Sequence, residues 1–296
     1  MKIGIDIGGS HVGVGLVNNN GEIEIKKETD LKNIENIENE LENIISNSII
    51  EILEQSKLKI DNIKLIGIAS PGTISQGKIK YSNNLKLNNF DIIKVLKKHF
   101  NINMQIRNDA KCAALCEKEY GSLKRYDNCV FLTIGTGIGG AVFNGGKLLT
   151  SKKVEGYELG HTVIEKNGRK CSCGNNGCFE TYASITALKN KIINEYKIRT
   201  NITGIELLTI INNELKTTKM KKIIEEYTSD LCIGIANFIN IFEPEVVCFG
   251  GSFIYYKEIF NKKIQDNLQA LLYNKELPKI EYAKMKNDAG IIGATI

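Results

Sequence analysis

The sequence predicts an α/β protein built from two related halves, and three observations carry that reading. Strand-like and helix-like segments alternate along the 296 residues. Short apolar runs such as Leu65 to Ala69 and Val246 to Phe249 read as strands covered on both faces. A strand, glycine turn, strand unit occurs near residue 8 and returns near residue 137, an internal repeat at domain scale.

The elements follow in order. Lys2 to Asn18 alternates apolar and small residues around Gly8-Gly9, giving two strands and a tight turn. Asn19-Asn20-Gly21 is a turn signal before a third strand, Glu22 to Lys27. Residues 34 to 56 place Ile37, Leu41, Ile45, Ile49 and Ile52 at helical spacing. A strand over 65–69 ends at Ser70-Pro71-Gly72; Phe90 to Phe100 reads as helix, Met104 to Arg107 as strand, and Ala110 to Tyr120 as helix. The pattern then repeats with strand 129–134, the glycine turn 135–140 and strand 141–143. Helices near 184–196, 204–215, 219–241 and 256–272 follow, with strands 246–249 and 279–283 and a small-residue C-terminal segment.

Composition excludes several classes. The net charge is +5, and only Arg107, Arg125, Arg169 and Arg199 among the 39 basic residues are arginine. The lysines are scattered among acids, which describes solvated faces and not a nucleic-acid stripe. The opening MKIGIDIGG lacks a signal-peptide core, and no run of 18 apolar residues exists, so neither export nor a membrane span is expected. Cys112, Cys116, Cys129, Cys232 and Cys248 lie singly in apolar segments, the usage of packed, reduced thiols in a cytoplasmic protein.

Three patterns point to chemistry. Gly8-Gly9-Ser10 and Gly135-Thr136-Gly137-Ile138-Gly139-Gly140 form a pair of turns whose backbone N–H groups can approach phosphate oxygens, with hydroxyls from Ser10 and Thr136. Gly250-Gly251 makes a third glycine turn, and Asp6, just before the first, is placed to hold Mg²⁺ directly or through water. No Gly-Lys-Ser/Thr follows any of them, and each of the paired turns leads into a strand, so neither a Walker A nor a Rossmann motif is present. His161, Cys171, Cys173 and Cys178 suit a closed structural Zn²⁺ site, with no position left for a catalytic water. Asn108-Asp109 sits where a strand meets a helix. Asp109 there can accept the proton of an attacking hydroxyl, or either residue can simply cap the helix.

DIGGS (6–10), NDAKCAALCE (108–117), GTGIGG (135–140), ELGH (158–161), CSCGNNGCFETYAS (171–184), GGS (250–252) and NDAGIIGA (287–294) together resemble the ROK family of repressors, open reading frames and sugar kinases. The resemblance spans the chain. It implies an actin-like (ribonuclease H-like) fold of two duplicated α/β domains around a deep cleft. The expected division is 1–108, completed by 286–296, and 109–285 with the zinc loop. It further implies ATP-dependent phosphorylation of a hexose, most simply glucose at its 6-hydroxyl, with N-acetylmannosamine or another hexose as alternative. Asp109 would be the base. Asn84, Asn108, Asp109, Glu158, His161 and Glu180 would contact the sugar. Asp6, Gly8, Gly9, Ser10, Gly135, Thr136, Gly137, Gly139 and Gly140 would serve the phosphates and Mg²⁺, with Gly250 and Gly251 near the nucleoside. One Zn²⁺ per chain and a homodimer are also implied, without nucleic acid or membrane partners. With the first glycine turn at residue 8, the repressors' DNA-binding module is not expected ahead of it. Three departures bear on the sugar: Lys111 stands where the family commonly has Asn, Tyr157 where glycine is usual, and residues 83–90 lack the usual Pro and Trp around Asn84.

Overall fold

A computed structural model describes residues 1–32, 34, 36–151 and 155–296. Its contacts separate into two compact units: Met1–Lys124 with Leu149–Tyr157 and Lys284–Ile296, and Arg125–Leu148 with Glu158–Ala283.

The first unit opens with an antiparallel meander, β1 (Lys2–Ile7), β2 (His11–Val17) and β3 (Ile23–Asp30). Helix α1 (Ile37–Ser56) is capped by Asn36, whose Oδ1 accepts from the Asn39 N–H, so Ile34 lies ahead of the helix predicted to contain it. Leu41, Ile45, Ile49 and Ile52 form its buried stripe. Strand β4 (Ile66–Ser70) runs parallel to β1. A small antiparallel sheet then intervenes, made of β5 (Thr73–Ser75), β6 (Lys78–Ser82) and β7 (Leu87–Phe90). The helix predicted over 90–100 shrinks to α2 (Ile92–Leu96), because Phe90 is spent in β7. Strand β8 (Met104–Asn108) joins β4 in parallel and leads straight into α3 (Asp109–Glu119). The main sheet has the order β3-β2-β1-β4-β8.

The second unit repeats this plan. Strands β9 (Cys129–Ile134), β10 (Ile138–Asn144) and β11 (Lys147–Leu148) form the meander. Helices α4 (Glu180–Ala183), α5 (Ile185–Tyr196), α6 (Gly204–Glu214) and the 25-residue α7 (Thr218–Phe242) lead to β12 (Val246–Gly250), then α8 (Lys257–Leu271) and β13 (Lys279–Tyr282). The sheet order is β11-β10-β9-β12-β13, with two antiparallel pairings followed by two parallel ones, as in the first unit. The repeat seen as two glycine turns is therefore a repeat of whole sheets. Phe179, fully buried, sits edge-on to Phe238 of α7 and anchors the residues on either side of it, Cys178 and Glu180.

The chain ends in the first unit as α9 (Ala289–Ala294). Gly293 meets the backbone of Cys112 in α3, and Ile291 lies across Gly4 and Gly15 of the sheet. This packing keeps α3 with the first unit, so the contacts run on to Lys124, past the boundary at residue 108 expected from sequence.

Candidate active site

In the first unit the candidate residues Asp6, Asn108 and Asp109 cluster at the carboxyl ends of the parallel strands β1 and β8, on either side of β4, where an open α/β sheet leaves room for ligands. The first glycine turn is closed by the Gly8 N–H donating to the His11 carbonyl at 2.8 Å. Asn84, exposed on the turn between β6 and β7, has its Cβ 3.5 Å from the position a Gly9 Cβ would take. Asp6, near the end of β1, lies against Gly290, where an added Cβ would come within 2.3 Å of its Oδ2. Burial pushes the Asp6 carboxyl up to about 7, the nearby Asp109 charge adds to this, and Lys26 opposes it. Lys26 is itself tied to Asp288 at 2.8 Å.

The strand-to-helix junction divides its labour. Asn108 is the cap of α3: its Oδ1 accepts from the N–H groups of Ala110 and Lys111, and its Nδ2 donates to the Gly72 carbonyl at 3.1 Å. Asp109 is the first helical residue, partly exposed, with Oδ1 accepting from the Ala110 N–H at 2.8 Å. The cap is therefore supplied by Asn108, and the helix start also favours an anion at Asp109.

In the second unit, His161 Nδ1 and Cys171 Sγ are 3.6 Å apart, as are the sulfurs of Cys173 and Cys178. All four ligand atoms lie within 4.8 Å of one another. A tetrahedral ion with metal–sulfur bonds of about 2.3 Å needs edges of about 3.7 Å, close to the His161–Cys171 and Cys173–Cys178 separations. Burial pushes the Cys178 thiol up to about 12 and raises that of Cys171; the Asn175 N–H lowers that of Cys173.

Glu180, opening α4, joins this cluster to the second glycine turn. Its Oε1 lies 3.7 Å from His161 Nδ1 and 3.3 Å from Cys171 Sγ, while Oε2 accepts from the Ile138 N–H at 3.3 Å. A Cβ added to Gly135 would lie 3.7 Å from Ser252 Oγ and one on Gly251 would lie 2.6 Å from the Ile134 carbonyl oxygen, so the second and third glycine turns meet. Beside them is a cavity of about 650 Å³, lined among others by Thr136, Glu180, Ser184, Ala187 and Asn190. Gly250 and Gly251 are not among its lining residues.

The ROK family model matches residues 2–296. The chain belongs to the ROK family. A glucokinase from Thermotoga maritima is 31% identical over 99% of this chain and 95% of its own length. A xylose repressor from Caldicellulosiruptor bescii is 30% identical, covering 98% of this chain and 76% of the repressor. A ROK hexokinase from Thermus thermophilus superposes with a TM-score of 0.85 at 24% identity, over 99% of this chain and 96% of the other. The fold is thus the α/β, actin-like ATPase fold that the sequence led us to expect.

Against the ROK pattern, the structure refines several expectations. Gly139 and Gly140 are strand residues of β10, paired with Thr133 and Leu132, so the turn proper is Gly135 to Gly137. Glu158 is exposed and does not cap the short 3-10 turn Leu159–His161. Tyr157 has φ +55°, the left-handed region that glycine enters without cost. Lys111 is fully buried in α3. Two residues near these motifs escaped the sequence reading: His11, whose ring flanks Gly8, and Glu155, which holds the Asn108 backbone. No helix of the structure, among the described residues, is long and apolar enough to cross a membrane.

Proposed function

We propose that this protein is an ATP-dependent hexose kinase that phosphorylates a sugar hydroxyl, with glucose at O6 the first candidate. The observation that carries the reading is the β8–α3 junction, where Asn108 supplies the cap and the next residue, Asp109, opens the helix partly exposed. Asp109 accepts the proton of the attacking hydroxyl as the bond to phosphorus forms. The N–H groups of Gly8 to Ser10 and Gly135 to Gly137 hold the phosphates, with the hydroxyls of Ser10 and Thr136. When bound, Mg²⁺ neutralises phosphate charge on the Asp6 side. The cavity beside Thr136 offers room for the nucleoside.

Sugar recognition falls to Asn84, Asn108, Glu158, His161 and Glu180. His161 turns Nδ1 to the cysteines, and a ligating imidazole keeps its other nitrogen for a hydroxyl. Zinc is the metal proposed for His161, Cys171, Cys173 and Cys178, because three thiolates and one imidazole suit it. It would organise the loop carrying Glu158 and Glu180. Glucose is favoured by the likeness to the Thermotoga maritima glucokinase. A homodimer in the cytoplasm is part of the same reading.

A second reading, a sugar-binding regulator, is favoured by the likeness to the xylose repressor. Two assays separate them. Coupled ADP release over glucose, mannose, fructose, allose and N-acetylhexosamines should show turnover, and glucose should head the series in kcat/KM. A gel shift on operator-sized DNA should show none. Absence of turnover with every sugar would sink the kinase reading; another sugar a hundredfold better than glucose would sink only the choice of glucose.

A further inference from the structure

Glu155 belongs to none of the motifs that mark the site. It lies in Leu149–Tyr157, a stretch that joins β11 to the Leu159–His161 turn yet packs with the first unit. Its Oε2 accepts from the backbone N–H of Asn108 at 2.6 Å, and its own N–H donates to the Ile74 carbonyl of β5 at 3.3 Å. A carboxylate on an amide at this length is a charge-assisted bond, stronger than a neutral one. Asn108 is the last residue of β8, and Asp109 follows it directly.

Both the backbone and the side chain of Asn108 are held. Its backbone N–H goes to Glu155, its Oδ1 takes the first free N–H groups of α3, and its Nδ2 goes to Gly72. Removing the side-chain contacts would also unfasten the helix. The Glu155 bond instead acts on the backbone one residue before Asp109 without touching the cap. Proton transfer to a positioned base is sensitive to displacements of an ångström or less.

We propose that Glu155 is a positioning residue, whose carboxylate sets the backbone of the β8–α3 junction and through it the aim of Asp109. The kinetic consequence rests on the kinase reading above; the hydrogen bond does not. A test compares wild type, Glu155→Gln and Glu155→Ala. Glutamine retains an acceptor oxygen and should keep kcat within about threefold, whereas alanine should lower kcat by about 10- to 100-fold with little change in the sugar KM. Hydrogen exchange of the segment containing Asn108 should accelerate in Glu155→Ala and stay near wild type in Glu155→Gln. A Glu155→Ala protein with wild-type kcat, or a glutamine variant as impaired as alanine, would overturn the proposal. If the wild type phosphorylates no sugar, the kinase reading has failed and exchange alone decides: an unaltered Asn108 segment in Glu155→Ala overturns the positioning role, and a faster one supports it.

Discussion

A β-carbon on Gly137 would fall 2.5 Å from Oε2 of Glu180, so the second glycine turn and the first residue of α4 are packed to contact. The same oxygen accepts from the Ile138 N–H, and the other faces the Cys/His cluster. One carboxylate thus ties the second glycine turn to the Cys/His cluster.

Gly137→Ala should therefore push Glu180 off the turn. The expected outcome is an ATP KM raised about tenfold, a loss of about 1.4 kcal/mol of binding energy. Zinc content should remain, because Glu180 is not one of the four donors. Kinetics at varied ATP and metal analysis on the same sample check this; an unchanged ATP KM would show that the contact is passive.

Replacing Cys173 by Ser removes the exposed thiolate of the four-donor set. Metal analysis should find about one zinc per chain in the wild type and far less in Cys173→Ser, with a lower Tm, since metal binding and loop folding are one equilibrium. Sugar affinity by calorimetry should fall with the metal. Wild-type protein prepared without chelator and still lacking zinc would refute the site.

Much of this was legible in the residues. The apolar periods, glycine turns and Cys/His spacing are local patterns, and each leaves its mark within a few residues. The β5–β7 sheet is not local in that sense. Its strands carry Lys78, Lys80, Asn88 and Asn89 and are held by cross-strand pairing, with Lys86 and Asn89 at positive φ shaping its last turn and strand. Ile92, Leu96 and Phe100 fit a helical stripe as well as the strand-plus-short-helix observed. Glu155 left no signal because its partner is a backbone amide 47 residues away. Tyr157 shows as an oddity in sequence, but its φ of +55° shows only in the structure.

Asp6 links stability to pH. Its carboxyl is raised from 3.8 to about 7, so the folded protein holds a proton there that the unfolded chain has lost between those values. An acid raised in the folded state costs stability as pH climbs through that window, and the full cost stands above about 7. Asp6→Asn carries no such cost. Without ligands, its Tm should match wild type near pH 4, exceed it increasingly towards pH 7, and keep a constant lead at pH 8, while its kinase activity is lost. A Tm difference independent of pH would mean that Asp6 does not titrate in this way.

Asp109 offers the sharpest test, because asparagine there preserves the helix-start hydrogen bond that it shares with Asn108 and removes only the base. A sugar hydroxyl is a poor nucleophile, and general-base assistance is worth roughly 10²–10⁴-fold. Asp109→Asn keeps the size of the side chain and an oxygen for the Ala110 N–H, but cannot take the proton. It should lower kcat by roughly 10²-fold or more, with sugar binding by calorimetry and Tm near wild type. Asn108→Ala should do the reverse on stability, costing about 1 kcal/mol through the lost cap and freeing the Gly72 carbonyl. If Asp109 were only part of the cap, asparagine would replace it well and activity would survive. An Asp109→Asn enzyme retaining more than roughly a tenth of wild-type kcat would therefore assign the base elsewhere, with the exposed Glu158 next to be tested.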